Sequence, residues 1–570
     1  MVKTLGKEAM ITQHLNEDAR ESALSVCRDV AGSRGIVAVS LYGPWVCGYA
    51  DEKSDLNVLL VLRNYRPRLK GHLKPLNGIN AFILVVDQRI FERDVEQGWL
   101  GEFVAEKITV PYEPLVNEEY LRYQEVKVKK RIIRELLENI ASEFPELSHE
   151  LLIEAEYFMY EAMMRRARVF PPVTYAFLNM LRTDVKRENT ESMMKGYLRA
   201  LSELAEENQI SFSNGYVKIT RGFINAIRSR KHRLPLLLRS VQRAAFPQIL
   251  GVFPKMMSPL IHEEEIFMRT HREVEAAELV FQLEDPREYV LISTPLGFAA
   301  LSDKTTIEDF VRKTVPSGEV LDMEIDEIGG VLNAVYLLTF RKDQEEQRVV
   351  VKKFKDWLGV KWFPLALWAL GTKAFAVLGR SRLEREYAIN QLLQSQGFSV
   401  PRVLYVSPQE RLIFEDFIEG ENLAEIIKRI ISSKRKVMGE VALVKEVGRK
   451  IAEAHRLGVS LGDCKPENII VTEDGKTCFV DLEQASRNGN QAWDIAEFLY
   501  YSGHYVSPIS PAEPAVLIAR EFIEGYLEAG GKRETVKRAG SARYTKVFSF
   551  FTPPHVILAI SNLCKKLGEE

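Results

Sequence analysis

Asp463 and Asn468 stand in Gly462-Asp463-Cys464-Lys465-Pro466-Glu467-Asn468-Ile469-Ile470-Val471, an acid and an amide at D-x-x-x-x-N spacing just ahead of an apolar, strand-like run. Phosphoryl transfer needs that pair. The carboxylate of Asp463 accepts the proton of an acceptor hydroxyl, and the Asn468 amide helps hold a metal ion that neutralises charge on the transferred group. Asp481 closes the apolar run Cys478-Phe479-Val480 thirteen residues past Asn468, where a second metal-binding carboxylate is required. Upstream, Val349-Val350-Val351-Lys352 reads as a strand ending in a lysine able to reach the α/β-phosphates of ATP. Such a lysine needs an acidic partner, and Glu386 in the helical run Leu383 to Leu393 supplies one. Lys353 or Lys355 competes with Lys352 for this role, and Glu384 competes with Glu386. In Ile328-Gly329-Gly330-Val331 the glycine pair lets backbone N–H groups approach phosphate. The segment Leu412 to Gly420 reads as a strand running into a short connector, where backbone groups around Glu415 and Phe417 can bind an adenine edge. ATP and Mg²⁺ are the implied cofactors. Cys464 and His455 read as packing or polar-network residues.

These groups must be positioned by a chain of 570 residues, too long for one ordinary core, so two to four domains are expected. Ile36 to Leu41, Leu56 to Arg63 and Ala81 to Val86 read as strands of a small α/β unit over 1–124. From about Glu125, apolar residues recur at three- and four-residue spacing (Ile132, Ile133, Leu136, Leu137, Ile140), which predicts a helical middle region over 125–284. Asp285-Pro286 breaks that pattern, and the strand-like runs Tyr289 to Ser293 and Val335 to Phe340 open a second α/β region over 285–570. Five scattered cysteines with no C-x-x-C pair fit neither a zinc cluster nor a disulfide framework. Trp362 to Leu378 is interrupted by Pro364, Gly371 and Lys373 and is shorter than the roughly 20 residues of a bilayer span, so it reads as an internal docking helix. With no export signal over Met1 to Ser22, a cytoplasmic protein without a membrane partner is expected. No obligate protein partner is inferred.

The formal net charge of −2 hides a local imbalance: between Asn208 and His262 there is no Asp or Glu. Arg228, Arg230, Lys231 and Arg233 stand at the centre of this stretch, and Phe212, Tyr216, Phe223, Phe246 and Phe253 are interspersed along it. That mixture suits phosphate tracking and base contacts on RNA. A solvated basic helix facing an acidic neighbour is the competing reading. Lys532, Arg533, Lys537, Arg538, Arg543 and Lys546, followed by Phe548, Phe550 and Phe551, form a second such region. Two of them favour a polyanionic substrate over a peptide.

From about 320 to 510 the chain resembles the protein-kinase-like fold, because the six features above occur in its order. Within that fold it looks most like the atypical RIO and Bud32 kinases, with the short glycine pair, the arginine-rich Arg380-Ser381-Arg382-Leu383-Glu384-Arg385-Glu386 helix and the Trp493-Asp494-Ile495-Ala496 helix start. The resemblance implies a bilobal domain and a role for Lys465 at the γ-phosphate. Three departures matter. The metal-binding Asp-Phe-Gly reads Asp481-Leu482-Glu483, Gly462 precedes Asp463 where Arg is usual, and only a short loop separates Asp481 from Asp494. Ordinary protein kinases place a peptide-docking segment there.

At the other end, Leu41-Tyr42-Gly43-Pro44 and Ser54-Asp55-Leu56-Asn57-Val58 resemble the nucleotidyltransferase fold of the DNA polymerase β type. Pro44 replaces the phosphate-binding Ser of that family and Asn57 its second carboxylate. Two-metal chemistry needs anionic oxygen ligands, so this unit is expected to be catalytically silent. Asp55 and Asp87 remain as candidates for one metal ion. A silent nucleotidyltransferase-like unit, a helical basic region and a RIO/Bud32-like domain together resemble the archaeal RNA kinases that phosphorylate a uridine 2′-hydroxyl in the variable loop of tRNA. The resemblance implies tRNA as substrate. The alternatives are a RIO/Bud32-type protein serine kinase or ATPase, a nucleotidyltransferase whose kinase-like half regulates it, and a non-enzymatic RNA-binding protein.

Overall fold

The computed structural model describes residues 17–51, 54–76, 79–169, 173–229, 282–315, 323–329, 333–342, 345–356, 376–433 and 438–569. The chain packs as two compact units, one of residues 1–143 and 152–290 and one of residues 144–151 and 291–570.

In the first unit, helix α1 (Glu17–Ala31) precedes a five-stranded sheet of β1 (Ile36–Tyr42), β2 (Leu56–Leu62), β3 (Leu69–Leu76), β4 (Ile79–Asp87) and β5 (Tyr112–Val116), in the order β3-β4-β2-β1-β5. The apolar runs of β1 and β2 are buried along almost their whole length. β3 lies at the sheet edge, which tolerates Pro75 and the polar residues that leave this strand without an apolar signature in the sequence. Helix α2 (Gln88–Gln97) starts where Asp87 accepts the Arg89 N–H at 3.1 Å, and stops at Gly98 with φ 60°. Helices α3 (Glu118–Glu143), α4 (Glu156–Val169), α5 (Val173–Met180), α6 (Lys186–Glu206) and α7 (Arg221–Ser229) follow, with short strands β6 (Leu152–Ile153), β7 (Ile210–Ser213) and β8 (Tyr216–Ile219). Ile132, Ile133, Leu136, Leu137 and Ile140 form the buried stripe of α3, which begins before residue 125. The unit contains a cavity of about 320 Å³ lined in part by Glu106, Met163, Arg166, Phe177 and Tyr197, none of them a candidate site residue.

The sheet register corrects one expectation. β2 and β4 run parallel, with Leu56 opposite Ala81 and Leu62 opposite Asp87. Asp55, which precedes β2, and Asp87 therefore sit at opposite ends of the pair, separated by seven positions or about 20 Å at the usual strand rise. They cannot share a metal ion. Asp87 is committed to structure, accepting from the Tyr65 and Arg89 backbone N–H groups. Asp55 is hydrogen-bonded to Asn80, an amide where a second carboxylate would be needed.

Arg228 lies in the last turn of α7, while Arg230, Lys231, Arg233 and most of the Trp362–Leu378 run fall outside the described residues. Among the described residues no helix is long and apolar enough to cross a membrane. All five cysteines are buried free thiols.

From Leu291 the chain runs in the second unit, through β9 (Val290–Thr294), β10 (Gly297–Ala300) and α8 (Ile307–Thr314), whose N-terminus is closed by a Thr306/Asp309 capping box. An antiparallel sheet follows, ordered β11-β12-β13-β15-β14: β11 (Met323–Gly329), β12 (Ala334–Lys342), β13 (Glu345–Lys353), β14 (Val403–Ser407) and β15 (Leu412–Asp416), with α9 (Gly379–Ser395) inserted between β13 and β14. Phe414 and Phe310 stack at 4.1 Å and seal one face of this sheet with α8. The rest is largely helical: α10 (Leu423–Ser432), α11 (Met438–Arg456), α12 (Gln491–His504), α13 (Glu513–Glu528), α14 (Arg533–Ala539), α15 (Ala542–Phe548) and α16 (Pro554–Glu569). Among them run the short strands β16 (Glu421–Asn422), β17 (Val459–Ser460), β18 (Ile469–Val471), β19 (Thr477–Phe479) and β20 (Ser486–Arg487). Their core centres on Trp493, Tyr500, Phe522, Tyr526 and Phe548, each at most 1% exposed.

Candidate active site

The loop between β17 and β18 carries Asp463, Lys465 and Asn468, and helix α12 holds it in place. Asp494, in the first turn of α12, accepts the Leu461 N–H at 2.7 Å, the Gly462 N–H at 2.8 Å and the Ser460 hydroxyl at 3.0 Å. His455 Nε2 lies 2.9 Å from the same carboxylate, and its Nδ1 lies 2.8 Å from the Tyr526 hydroxyl, which places His455 in a polar network. One turn later Glu497 accepts from Cys464 N at 2.7 Å and from Trp493 Nε1 at 2.9 Å. Neither Asp494 nor Glu497 was singled out for this bracing from the sequence. Their i,i+3 spacing after Trp493 was the available signal, and only the loop's position gives it meaning. Asp494→Ala strands two buried backbone N–H groups and should cost about 3–5 kcal/mol of stability. Denaturant unfolding measures this, and an unchanged midpoint would remove Asp494 from the scaffold.

Within the loop, Lys465 Nζ donates to Asp463 Oδ2 at 2.9 Å, and Asn468 Nδ2 donates to the Asp463 backbone carbonyl at 2.9 Å. That bond engages the amide nitrogen and leaves the Asn468 Oδ1 as an oxygen ligand. Burial alone would push the Lys465 ammonium down, but the Asp463 carboxylate outweighs it and holds the group well above its ordinary value. Asp481 adopts φ 61°, the left-handed region that Asp and Asn enter at least cost.

Lys352 is buried, and the structure brings three carboxylates around its Nζ: Glu386 at 2.6 Å, Glu415 at 3.3 Å and Asp481 at 3.8 Å. Burial would lower the ammonium's pKa, yet these charges hold it well above the ordinary value, so Lys352 stays a cation. The alternatives point elsewhere: Lys353 and Lys355 are exposed, and Glu384 faces Arg380 at 3.9 Å. Glu415 differs from its expected place. Its backbone is inside β15, between Val350 of β13 and Val403 of β14, and its side chain shares the Lys352 face because cross-strand partners project together. The connector starts after it, at Phe417, whose ring lies under the Arg348 guanidinium at 4.7 Å. Gly420 passes so close to β18 that an added Cβ would lie 2.4 Å from the Val471 carbonyl oxygen.

Gly329 ends β11 beside a register shift and faces open space, whereas Gly330 lies outside the described residues. Just beyond, Asn333 joins a buried clamp that the sequence did not reveal. Arg382, fully buried in α9, donates to Asn333 Oδ1 at 2.6 Å and to Glu483 Oε1 at 3.2 Å, and Asn333 Nδ2 donates to Glu483. Gln484 exchanges two hydrogen bonds with the Ala376 backbone, at 3.0 and 3.2 Å. The acid replacing glycine after Asp481-Leu482 thus anchors the Asp481 loop to α9. Burial and the neighbouring Asp481 push the Glu483 carboxyl up to about 7.

A buried lysine–glutamate pair on a five-stranded sheet, an Asp/Asn loop braced by a helix and a clamped aspartate beyond it define a phosphotransferase of the kinase-like class. The comparisons agree. Residues 341–499 match the lipopolysaccharide kinase (Kdo/WaaP) family. The chain is 33% identical over 105 residues to the KEOPS complex subunit Bud32 of Pyrococcus abyssi, covering 18% of this chain and 45% of that protein. It is 29% identical over 159 residues to a probable serine/threonine-protein kinase BUD32 homolog of Archaeoglobus fulgidus, covering 28% of this chain and 72% of that protein. Over 145 residues it is 27% identical to a probable bifunctional tRNA threonylcarbamoyladenosine biosynthesis protein of Thermoplasma volcanium, covering 25% of each. The matches span less than half of the Pyrococcus protein and a quarter of the Thermoplasma protein. The second unit carries a kinase domain similar to these Bud32 proteins and to the Kdo/WaaP family.

Proposed function

We propose that this chain is an RNA kinase that transfers the γ-phosphoryl group of ATP to a 2′-hydroxyl of a tRNA uridine. The observation that carries the choice of acceptor is the segment after Asp481. It is short, and its β20 pairs back on β17, Val459 with Arg487 and Ser460 with Ser486, which leaves little chain to dock an extended peptide. The acid-free stretch from Asn208 to His262 adds the charge a polyanion requires. The 2′-hydroxyl is the group that marks RNA chemically. Segments 1–124, 125–284 and 285–570 then serve as a silent nucleotidyltransferase-like unit, an RNA-binding region and the kinase. Asn57 supports that silence, since its amide packs against the Gly43 turn where a Cβ would meet it at 2.6 Å.

The donor set fits Mg²⁺, which favours hard oxygen ligands and is held by one or two carboxylates together with substrate phosphates. Asp481 and Asn468 would hold it, and when bound it supplies charge neutralisation on the transferred phosphoryl group. Asp463 accepts the proton of the acceptor hydroxyl. Lys352, kept cationic by Glu386 and Glu415, orients the α/β-phosphates, and Lys465 reaches the γ-phosphate. Gly329 and Gly330 offer backbone N–H groups, and Phe417 borders the adenine.

Incubation with [γ-³²P]ATP and either total tRNA or cell protein decides the acceptor. Label in tRNA that is lost in Asp463→Ala supports this reading, whereas label in protein alone sinks it. The latter would favour a protein kinase, which the name of the Archaeoglobus relative keeps as the second reading.

A further inference from the structure

Helix α12 runs alongside the catalytic loop in step with it. Asp494 holds Leu461 and Gly462, Glu497 holds Cys464, and the Tyr505 hydroxyl donates to Glu467. Residues 494, 497, 501 and 505 share one helical face. Tyr501 is therefore level with Lys465, beside Asp463. Burial, Glu497 and Asp463 push its phenol up to about 12.

From Tyr501 an aromatic surface leads outward. Phe551 packs on Tyr501 at 4.8 Å and on His504 at 5.5 Å, and His504 Nδ1 donates to the Phe551 carbonyl at 2.9 Å. Phe550 beside it is 87% exposed, while Phe548 is fully buried core. A turn closes α15, with Ser549 N bonded to Thr545 O at 2.9 Å and Thr552 N to Phe548 O at 3.1 Å. Arg543 and Lys546 thus share one side of α15 at i,i+3 spacing, and Phe550 follows four residues later in the turn that ends the helix. Both cations are exposed, and among the described residues neither forms an ion pair with a carboxylate. A lone exposed phenylalanine needs no explanation. One that is next in the chain to Phe551, which packs on Tyr501 beside the catalytic loop, and that follows two unpaired cations has the makeup of a single-stranded nucleic-acid site: a ring for a base and charges for its phosphates.

We infer that Tyr501, His504, Phe551 and Phe550 form the acceptor subsite, where the base of an unpaired nucleotide stacks on Phe550 while Arg543 and Lys546 hold the flanking phosphates. This rests on the RNA kinase reading and adds how that site recognises its acceptor. Phe550→Ala should raise KM for tRNA by at least about fivefold, the low end for one stacked base, with kcat and KM for ATP unchanged. Phe550→Trp should restore KM. An Arg543→Ala/Lys546→Ala double variant should flatten the log–log salt dependence of tRNA binding by about one to two. Because Phe550 lies outside the core, an unchanged melting temperature checks that its variants fold. If the wild type labels tRNA and Phe550→Ala keeps the wild-type KM, the subsite is wrong and the RNA kinase reading stands. If the wild type leaves tRNA unlabelled, both fall. If Phe550→Ala instead impairs labelling of a protein acceptor, the surface recognises protein and the nucleotide subsite is overturned.

Discussion

Asp481→Asn lowers the single-turnover rate of phosphoryl transfer by about 10³-fold, the magnitude expected when one preorganised electrostatic stabiliser of the transferred group is lost. The substitution isolates charge. Asparagine tolerates the left-handed backbone, so φ 61° at this position survives, and the Glu483 and Gln484 contacts that hold the loop do not involve the Asp481 side chain. An amide still offers an oxygen to a cation, only without its negative charge. The Mg²⁺ concentration for half-maximal rate should therefore rise, and excess Mg²⁺ should recover part of the activity. A magnesium titration of both proteins reads this directly. A variant within a few-fold of wild type at every magnesium concentration would remove Asp481 from the metal site.

Asp463→Asn produces a loss of about 10²–10⁴ in kcat, the range for a positioned general base. Here the scaffold is again spared, because Asn468 bonds the Asp463 backbone carbonyl and not its side chain. Lys465 loses its ion-pair partner, so ATP binding should hold or tighten slightly as the ammonium is freed for phosphate. Magnesium should not rescue this variant. The two substitutions thus separate by their response to the metal, although each lies within the same braced region. Equal rescue of both would mean that Asp463 is itself a metal ligand, and a wild-type kcat in Asp463→Asn would assign the proton acceptor elsewhere.

Much of the catalytic loop was legible because its logic is local. Asp463, Lys465 and Asn468 lie within six residues, and their mutual contacts at 2.9 Å involve no other element. The strands β1, β2 and β13 were legible for a similar reason, as short apolar runs bounded by polar residues. β3 was not, since an edge strand needs few apolar side chains and its ladder with β4 is a property of backbone groups. Glu415 was read as part of a connector because strand length cannot be taken from sequence to within a residue or two, and two residues decide whether its carboxylate meets Lys352.

What the sequence determined alone is the chemistry on offer: an acid and an amide at one spacing, a carboxylate after a buried run, a lysine closing a strand, and a basic stretch without acids. Tertiary structure decided which of them meet. The choice of Glu386 over Glu384 depends on the phase of α9 against β13, the support of the loop depends on α12 lying along it, and the separation of Asp55 from Asp87 depends on a parallel register. Each is a relation between segments distant in the chain, and side-chain direction there follows helical phase and strand pairing, in which a shift of one residue turns a group to the opposite face.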